Sequence, residues 1–453
     1  MNSSATMSEV IDHRAISSFQ LLVFMLCGLV MVLDGFNAQS IGFLAPSIAE
    51  GLHVSIKSFG PVFAAAYIGL MVSALCAGPI ADRLGRKWPI VASTVTFAAF
   101  TLATAQATSL HQLVMFRFLT GLGLGGALPN VVALAAEYAP HRLRHSLVTI
   151  ISCGMPLGAL VGGLLSSVML PAWGWQSVFY VGGILPLLVA LVLIRGLPES
   201  ILFLGVKRTA PHKIAAILAK IAPDLDSVTI VHPAAPASRG NSIPVLALFT
   251  EGRALGTILL WVPFFMNLLV LYFIVSWLPA LLRVSAAPVS MGIVAISLFS
   301  LGGIAGSLVQ GKLMTQWGDR VILLVEFAVT VALMSTLAFA STVVAILSTT
   351  FLLGCFVQGA QAGLNALSVR SYPTSMRATG IGWALGIGRL GSIVGPMLGG
   401  LMLTKGWSPR QILLTGGIPA LVSIISLVTG HFFRAAAEPG HPENAGSTRR
   451  NIE

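Results

Sequence analysis

The 453-residue chain is 56% hydrophobic and only 9% charged, with a formal net charge of +11. A soluble domain needs about a quarter of its residues charged to cover its surface, so a water-exposed globule is excluded. The positive charge is spread over short alternate loops, which argues against a nucleic-acid surface and for a bilayer.

Apolar runs of about 20 residues, the length that crosses a bilayer, recur along the whole chain. In lipid each backbone polar group must be satisfied within its own segment, so the runs are expected to be helices. The strict alternation of a membrane barrel is absent. Residues 1–18 read as a cytoplasmic N-terminal segment, and the apolar run that follows as a retained first helix rather than a cleaved signal. Predicted helices centre near Met31, Ile68, Phe97, Leu124, Leu157 and Leu187, which makes 19–196 a first six-helix bundle. Residues 197–252 hold six prolines and scattered charges and read as a central cytoplasmic linker. A second bundle, 253–434, is predicted with centres near Leu268, Phe299, Val329, Cys355, Gly388 and Val422. The polar segment 435–453 reads as a disordered cytoplasmic tail. The fold class is thus all-α, with about twelve transmembrane helices in two pseudo-symmetric bundles.

Basic residues gather in alternate loops, among them Arg83, Arg86 and Lys87, then Arg142 and Arg144, then Lys312 and Arg320, then Arg370 and Arg377. The intervening loops hold mainly Lys57, Arg283, Lys405 and Arg410. This alternation places both termini in the cytoplasm. The four cysteines, Cys27, Cys76, Cys153 and Cys355, lie inside apolar runs with no disulfide or metal spacing.

The halves repeat. Gly78–Lys87 reads GPIADRLGRK after the second helix, and Gly311 to Arg320 carries a weaker copy with Asp319-Arg320 after the eighth. Tyr138-Ala-Pro and Tyr372-Pro lead into the fifth and eleventh helices. Parallel repeats of this kind set a substrate site at their interface near the bilayer midplane. The decapeptide resembles the loop signature of the major facilitator superfamily. Gly78 and Gly85 would allow close approach, and Asp82, Arg83, Arg86 and Lys87, with Asp319 and Arg320 in the second copy, would latch one conformation. A basic turn that only fixes topology is the plainer alternative.

Ionisable groups inside spans are costly and so are functional candidates. Asp34, in the first helix, shares a face with Asn37 and is the candidate proton carrier. Arg389, among small residues in the eleventh helix, is a candidate for binding a substrate carboxylate, with a structural ion pair as the alternative. Arg117 opens the fourth helix and could bind substrate or exchange partners. Glu137 and Glu326 lie nearer span ends. Gln358, Gln361 and Asn365 form a polar stripe on the tenth helix, for a cavity or for helix contacts. Trp277 and Tyr272 could stack on a ring or belt the interface.

With these residues in view, the chain resembles the aromatic acid:proton symporter family of the superfamily. The carrying pieces are DGFNAQS from Asp34, ADRLGRK from Ala81, RFLTGLGLGGALPN from Arg117, LPESILFL from Leu197 and MRATGIGWALGIGRLGSIVGP from Met376. The resemblance implies import of an aromatic carboxylate of the hydroxyphenylpropionate or hydroxybenzoate class with protons, by alternating access, in an inner membrane. The proton gradient would be the energy source, with no cofactor, no metal and no catalytic residue, and the protein a monomer. It maps the family's two arginines onto Arg117 and Arg389. The family's first-helix pattern has two acids, whereas here the second is Asn37, which cannot titrate. The residues leave open a sugar or other metabolite symporter, suggested by Pro198-Glu199-Ser200, and a drug exporter. A receptor would want a signalling domain, and an enzyme a nucleophile–base pair near a span, and neither is evident.

Overall fold

The computed structural model describes residue 12 and residues 16–207, 211–221, 245–250, 253–372 and 376–437. The first half comprises α1 (Ser18–Gly51), α2 (Gly60–Leu84), α3 (Lys87–Ala105), α4 (Leu110–Tyr138), α5 (His141–Ser152) and α6 (Gly154–Gly196). Two short helices follow, α7 (Ile201–Lys207) and α8 (Pro211–Ile221). The second half comprises α9 (Ala254–Val284), α10 (Val289–Trp317), α11 (Asp319–Phe339), α12 (Val343–Ser371), α13 (Arg377–Thr404), α14 (Pro409–Thr415) and α15 (Ile418–Ala437). Residues 1–11 and 13–15 of the expected N-terminal segment, half of the expected linker and the tail beyond Ala437 lie outside the described residues.

Among the described residues, eleven stretches are long and apolar enough to cross a membrane. One of them, His141–Gly196, has 56 residues, more than twice the length that one crossing needs. Gly174 interrupts it with φ 74 and ψ 173, a conformation suited to glycine. The run therefore turns back on itself, and the chain makes twelve crossings. Side-chain caps set several helix starts: Ser17 and Gln20 form a capping box on α1, as do Ser408 and Gln411 on α14.

The halves are built alike. In the first, α2 packs on α4 and α1 on α6. In the second, α10 packs on α12 and α9 on α13. We call upper the face that carries the α1–α2 and α9–α10 connections, and lower the face with α2–α3 and α10–α11. The core is divided by height. One apolar cluster joins residues of both halves, among them Phe43, Phe63, Val275, Trp277, Ile296 and Leu403. The other two clusters stay within single halves.

The close approaches between halves lie toward the upper face. A Cβ on Gly60 would meet Pro396, Met397 and Gly400, and one on Gly42 or Gly163 would strike Val275 or Ser297. Toward the lower face, Gly78, Gly311, Gly382 and Gly386 would have nothing within 4 Å of an added Cβ. The structure is thus closed above and parted below.

Candidate functional site

The central site takes one acid and one tyrosine from the first half, and one cation and one tyrosine from the second. Asp34 sits midway along α1, 1% exposed, with neither carboxylate oxygen hydrogen-bonded. The opposing charge that acts on it is Arg389 of α13. Arg389 is half-buried, and its Nη1 lies 3.4 Å from the Tyr272 hydroxyl of α9. The Tyr272 ring meets Tyr67 of α2 at 4.4 Å between centroids, tilted by 58°. Ser276 of α9 lies beside the Tyr67 hydroxyl. A guanidinium and two phenol rings thus meet between the halves, within electrostatic reach of a buried carboxylate. Such a group can hold an anion attached to a ring. Tyr67 was not singled out from sequence, since one tyrosine in an apolar run carries no signal of its own.

Asn37 lies elsewhere. Its amide donates to the carbonyls of Leu33 (3.0 Å) and Gly182 (2.9 Å), and its oxygen accepts from Thr101 at 2.9 Å. It is fully enclosed and ties α1, α3 and α6 within the first half. Arg117 is likewise internal to that half: Nη2 donates to Thr104 (2.8 Å) and Thr120 (3.1 Å), and the guanidinium lies 5.2 Å from the centre of the Phe179 ring. The structure does not bring it to Arg389, whose polar partner belongs to α9.

Trp277 closes the upper side. Its Nε1 donates to the Pro396 carbonyl at 2.7 Å, and its ring stands edge-on to Phe63 across the two halves at 5.2 Å. The α12 stripe divides. Gln358 donates to the Phe299 carbonyl of α10 (3.3 Å). Gln361 accepts from Asn267 of α9 (2.9 Å) and reaches Asn365, which is exposed, at 3.4 Å.

The lower loop is held by residues that its motif does not contain. Gly85 adopts φ 87, and the Glu199 carboxylate fills the space its Cβ would need. Glu199 Oε1 accepts from the backbone amides of Arg86 (2.6 Å) and Lys87 (3.1 Å). Arg86 Nε pairs with Glu137 at 2.7 Å, and Ser200 bonds the other Glu137 oxygen. The Pro198-Glu199-Ser200 piece therefore anchors the α2–α3 loop to the ends of α4 and α6. In the second half, Gly318 repeats the φ of 87, and Asp319 is gripped by Arg370 with both contacts at 2.9 Å. Glu137 and Arg370 each stand three residues before a proline, so the loop-to-helix pair recurs with its charges exchanged. Asp82, Arg83, Lys87 and Arg320 also have partners.

Two six-helix halves around a central charged site define a membrane carrier. The Major Facilitator Superfamily model matches residues 27–383 and 286–452. The chain belongs to that superfamily and is a transporter, not an enzyme. It is 38% identical over 428 residues to the 4-hydroxybenzoate transporter PcaK of Pseudomonas putida, covering 94% of this chain and 95% of that one. It is 36% identical to a gallate transporter of Pseudomonas putida (95% and 96% covered). Identity is 35% to the 3-(3-hydroxy-phenyl)propionate transporter of Escherichia coli K12 (86% and 89% covered). A solved D-xylose-proton symporter shares the fold with TM-score 0.70 at 15% identity, covering 91% of this chain and 97% of that one.

Proposed function

We propose that this protein imports a single-ring aromatic carboxylate together with protons across a bacterial inner membrane, with the lower face and both termini inside. The observation that carries the reading is Arg389 beside the Tyr67–Tyr272 pair that spans the halves, within electrostatic reach of the buried Asp34. Relatives named as carriers of hydroxybenzoate, gallate and hydroxyphenylpropionate support the substrate class. The basic loops support the orientation, since they sit on the lower face.

The arrangement couples the two loads by competition. When Asp34 is ionised it shares the charge of Arg389. When it is protonated, the guanidinium is left to the substrate carboxylate, so each bound species favours the other. The phenol rings hold the substrate ring. Rocking then exposes the loaded site below, where loss of the proton from Asp34 restores competition and expels the anion.

The test is uptake into proteoliposomes under an imposed inward proton gradient, with labelled 4-hydroxybenzoate, 3-(3-hydroxyphenyl)propionate, benzoate and a hexose. Accumulation of an aromatic acid, abolished by an uncoupler, is the expected result. Hexose uptake alone would overturn the substrate class, and acid uptake indifferent to the uncoupler would remove the coupling.

A further inference from the structure

At the upper face α1 and α9 end in the same way. The amides of Leu52, His53 and Val54 bond to the carbonyls of Ile48, Glu50 and Ala49. Those of Ser285, Ala286 and Ala287 bond to Leu281, Arg283 and Leu282. His53 (φ 52) and Ala286 (φ 64) both take the left-handed conformation. This register makes Glu50 and Arg283 equivalent positions of the two halves. They meet across the interface: Arg283 Nη2 and Nε lie 3.0 and 3.2 Å from Glu50 Oε1.

The pair lines a groove of about 470 Å³ between the two helix ends. That is within the roughly 300–1,000 Å³ range of small-molecule sites. Val54, Ile56 and Val284 give it apolar walls, and His53 a polar edge. Among the described residues Glu50 is the one acid on the upper face, against Lys57, Arg283, Lys405 and Arg410. The mouth is thus positive, and it attracts anions from solution. The single carboxylate present lies on the cation nearest the apolar groove. Both side chains are about half in water, at 45% and 59% exposure, so the pair exchanges readily for another carboxylate.

We infer that this groove is an outer capture site for an aromatic carboxylate, in which Arg283 is held by Glu50 while the upper face is closed and passes to the substrate carboxylate when the halves part. Glu50 stands in for the substrate's charge, and the apolar walls take its ring. Capture precedes binding at Arg389. The inference rests on the aromatic-acid reading and on the upper face being the outer one.

The experiment measures initial rates of 4-hydroxybenzoate uptake in proteoliposomes holding the full chain. Arg283→Gln is expected to raise the apparent KM about fivefold at unchanged maximal rate, the size of one half-exposed charge contact. Glu50→Gln is expected to lower KM by about twofold, because it frees the guanidinium. Arg283→Lys, which keeps the charge, should fall between wild type and Arg283→Gln. Raising ionic strength should increase KM in the wild type and increase it less in Arg283→Gln, where three of the four upper cations remain. If Arg283 and Glu50 only strap the halves together, both neutral variants break the same strap and shift KM in the same direction, and the capture site is overturned. A wild type that takes up no aromatic acid overturns both readings, whereas a transporting wild type with parallel variants overturns this one alone.

Discussion

In the proposed cycle Asp34 and Arg389 divide the coupling between them, and their variants should separate it. Arg389→Gln removes the group that meets the substrate carboxylate, so the apparent KM should rise by about tenfold or more, given ~1.5–3 kcal/mol for a hydrogen bond to a charged group. Asp34→Asn mimics the protonated carboxyl permanently. It should keep substrate exchange at equal concentrations but lose accumulation against a gradient, and its KM should no longer fall as external pH is lowered. Exchange and gradient-driven uptake, measured on one preparation over a range of pH, would decide this. A variant that still accumulates substrate removes Asp34 from the proton path. Asn37 belongs to a different argument. Its amide faces two carbonyls, which an ionised Asp could not serve. Asn37→Asp should therefore cost about 1–3 kcal/mol of stability, read as a lower unfolding temperature in detergent, without gaining a second coupled proton. The two central charges were legible in the sequence because a lone charge in an apolar run is conspicuous. Tyr67 was not, and neither were the hydrogen-bond partners of Asn37 and Arg117. These depend on which side of a helix meets which neighbour, and a run apolar on nearly every side does not encode that.

At the scale of elements, the lower loops fix how each half is closed on itself. Gly85 and Gly318 share a φ of 87, yet their surroundings differ. A Cβ at Gly85 would strike the Glu199 carboxylate, whereas one at Gly318 would meet open space. Gly318→Ala should thus bear only the backbone penalty of an essentially glycine-only region, about 1–3 kcal/mol. Gly85→Ala should lose more, because Glu199 would also have to leave the amides of Arg86 and Lys87. Thermal unfolding of the two variants side by side checks the order, and equal losses would mean that Glu199 yields freely. The repeat was visible from the decapeptide and its weaker copy. The part played by Glu199 was not, since it comes from a segment more than a hundred residues away that sequence reasoning had assigned to a linker. The exchange of charges between Arg86–Glu137 and Arg370–Asp319 was also hidden, because a motif search looks for the same residue types in both copies.

For the whole molecule, the division of the core by height is what the proposed rocking needs. One apolar cluster welds the halves above, and separate clusters leave them independent below. The twelve crossings and the two-half plan followed from apolar periodicity and loop charge, but which face is closed did not, because the same sequence must serve both states. The close approach of Gly60 to Gly400, where a Cβ built on Gly400 lies 3.2 Å from the Gly60 Cα, gives a direct test. Cysteines at both positions would bring their Cβ atoms near the roughly 3.5–4.5 Å that a disulfide requires. In a background with Cys76, Cys153 and Cys355 replaced, oxidation of the Gly60→Cys, Gly400→Cys protein should form the bridge and stop uptake, and a reductant should restore it. Each single variant should be indifferent to the oxidant. Accumulated substrate should stay trapped inside the oxidised vesicles, since the site can no longer face outward. Continued transport with the bridge intact would mean that the upper contact between α2 and α13 survives the whole cycle, and that the halves do not alternate about the site formed by Asp34 and Arg389.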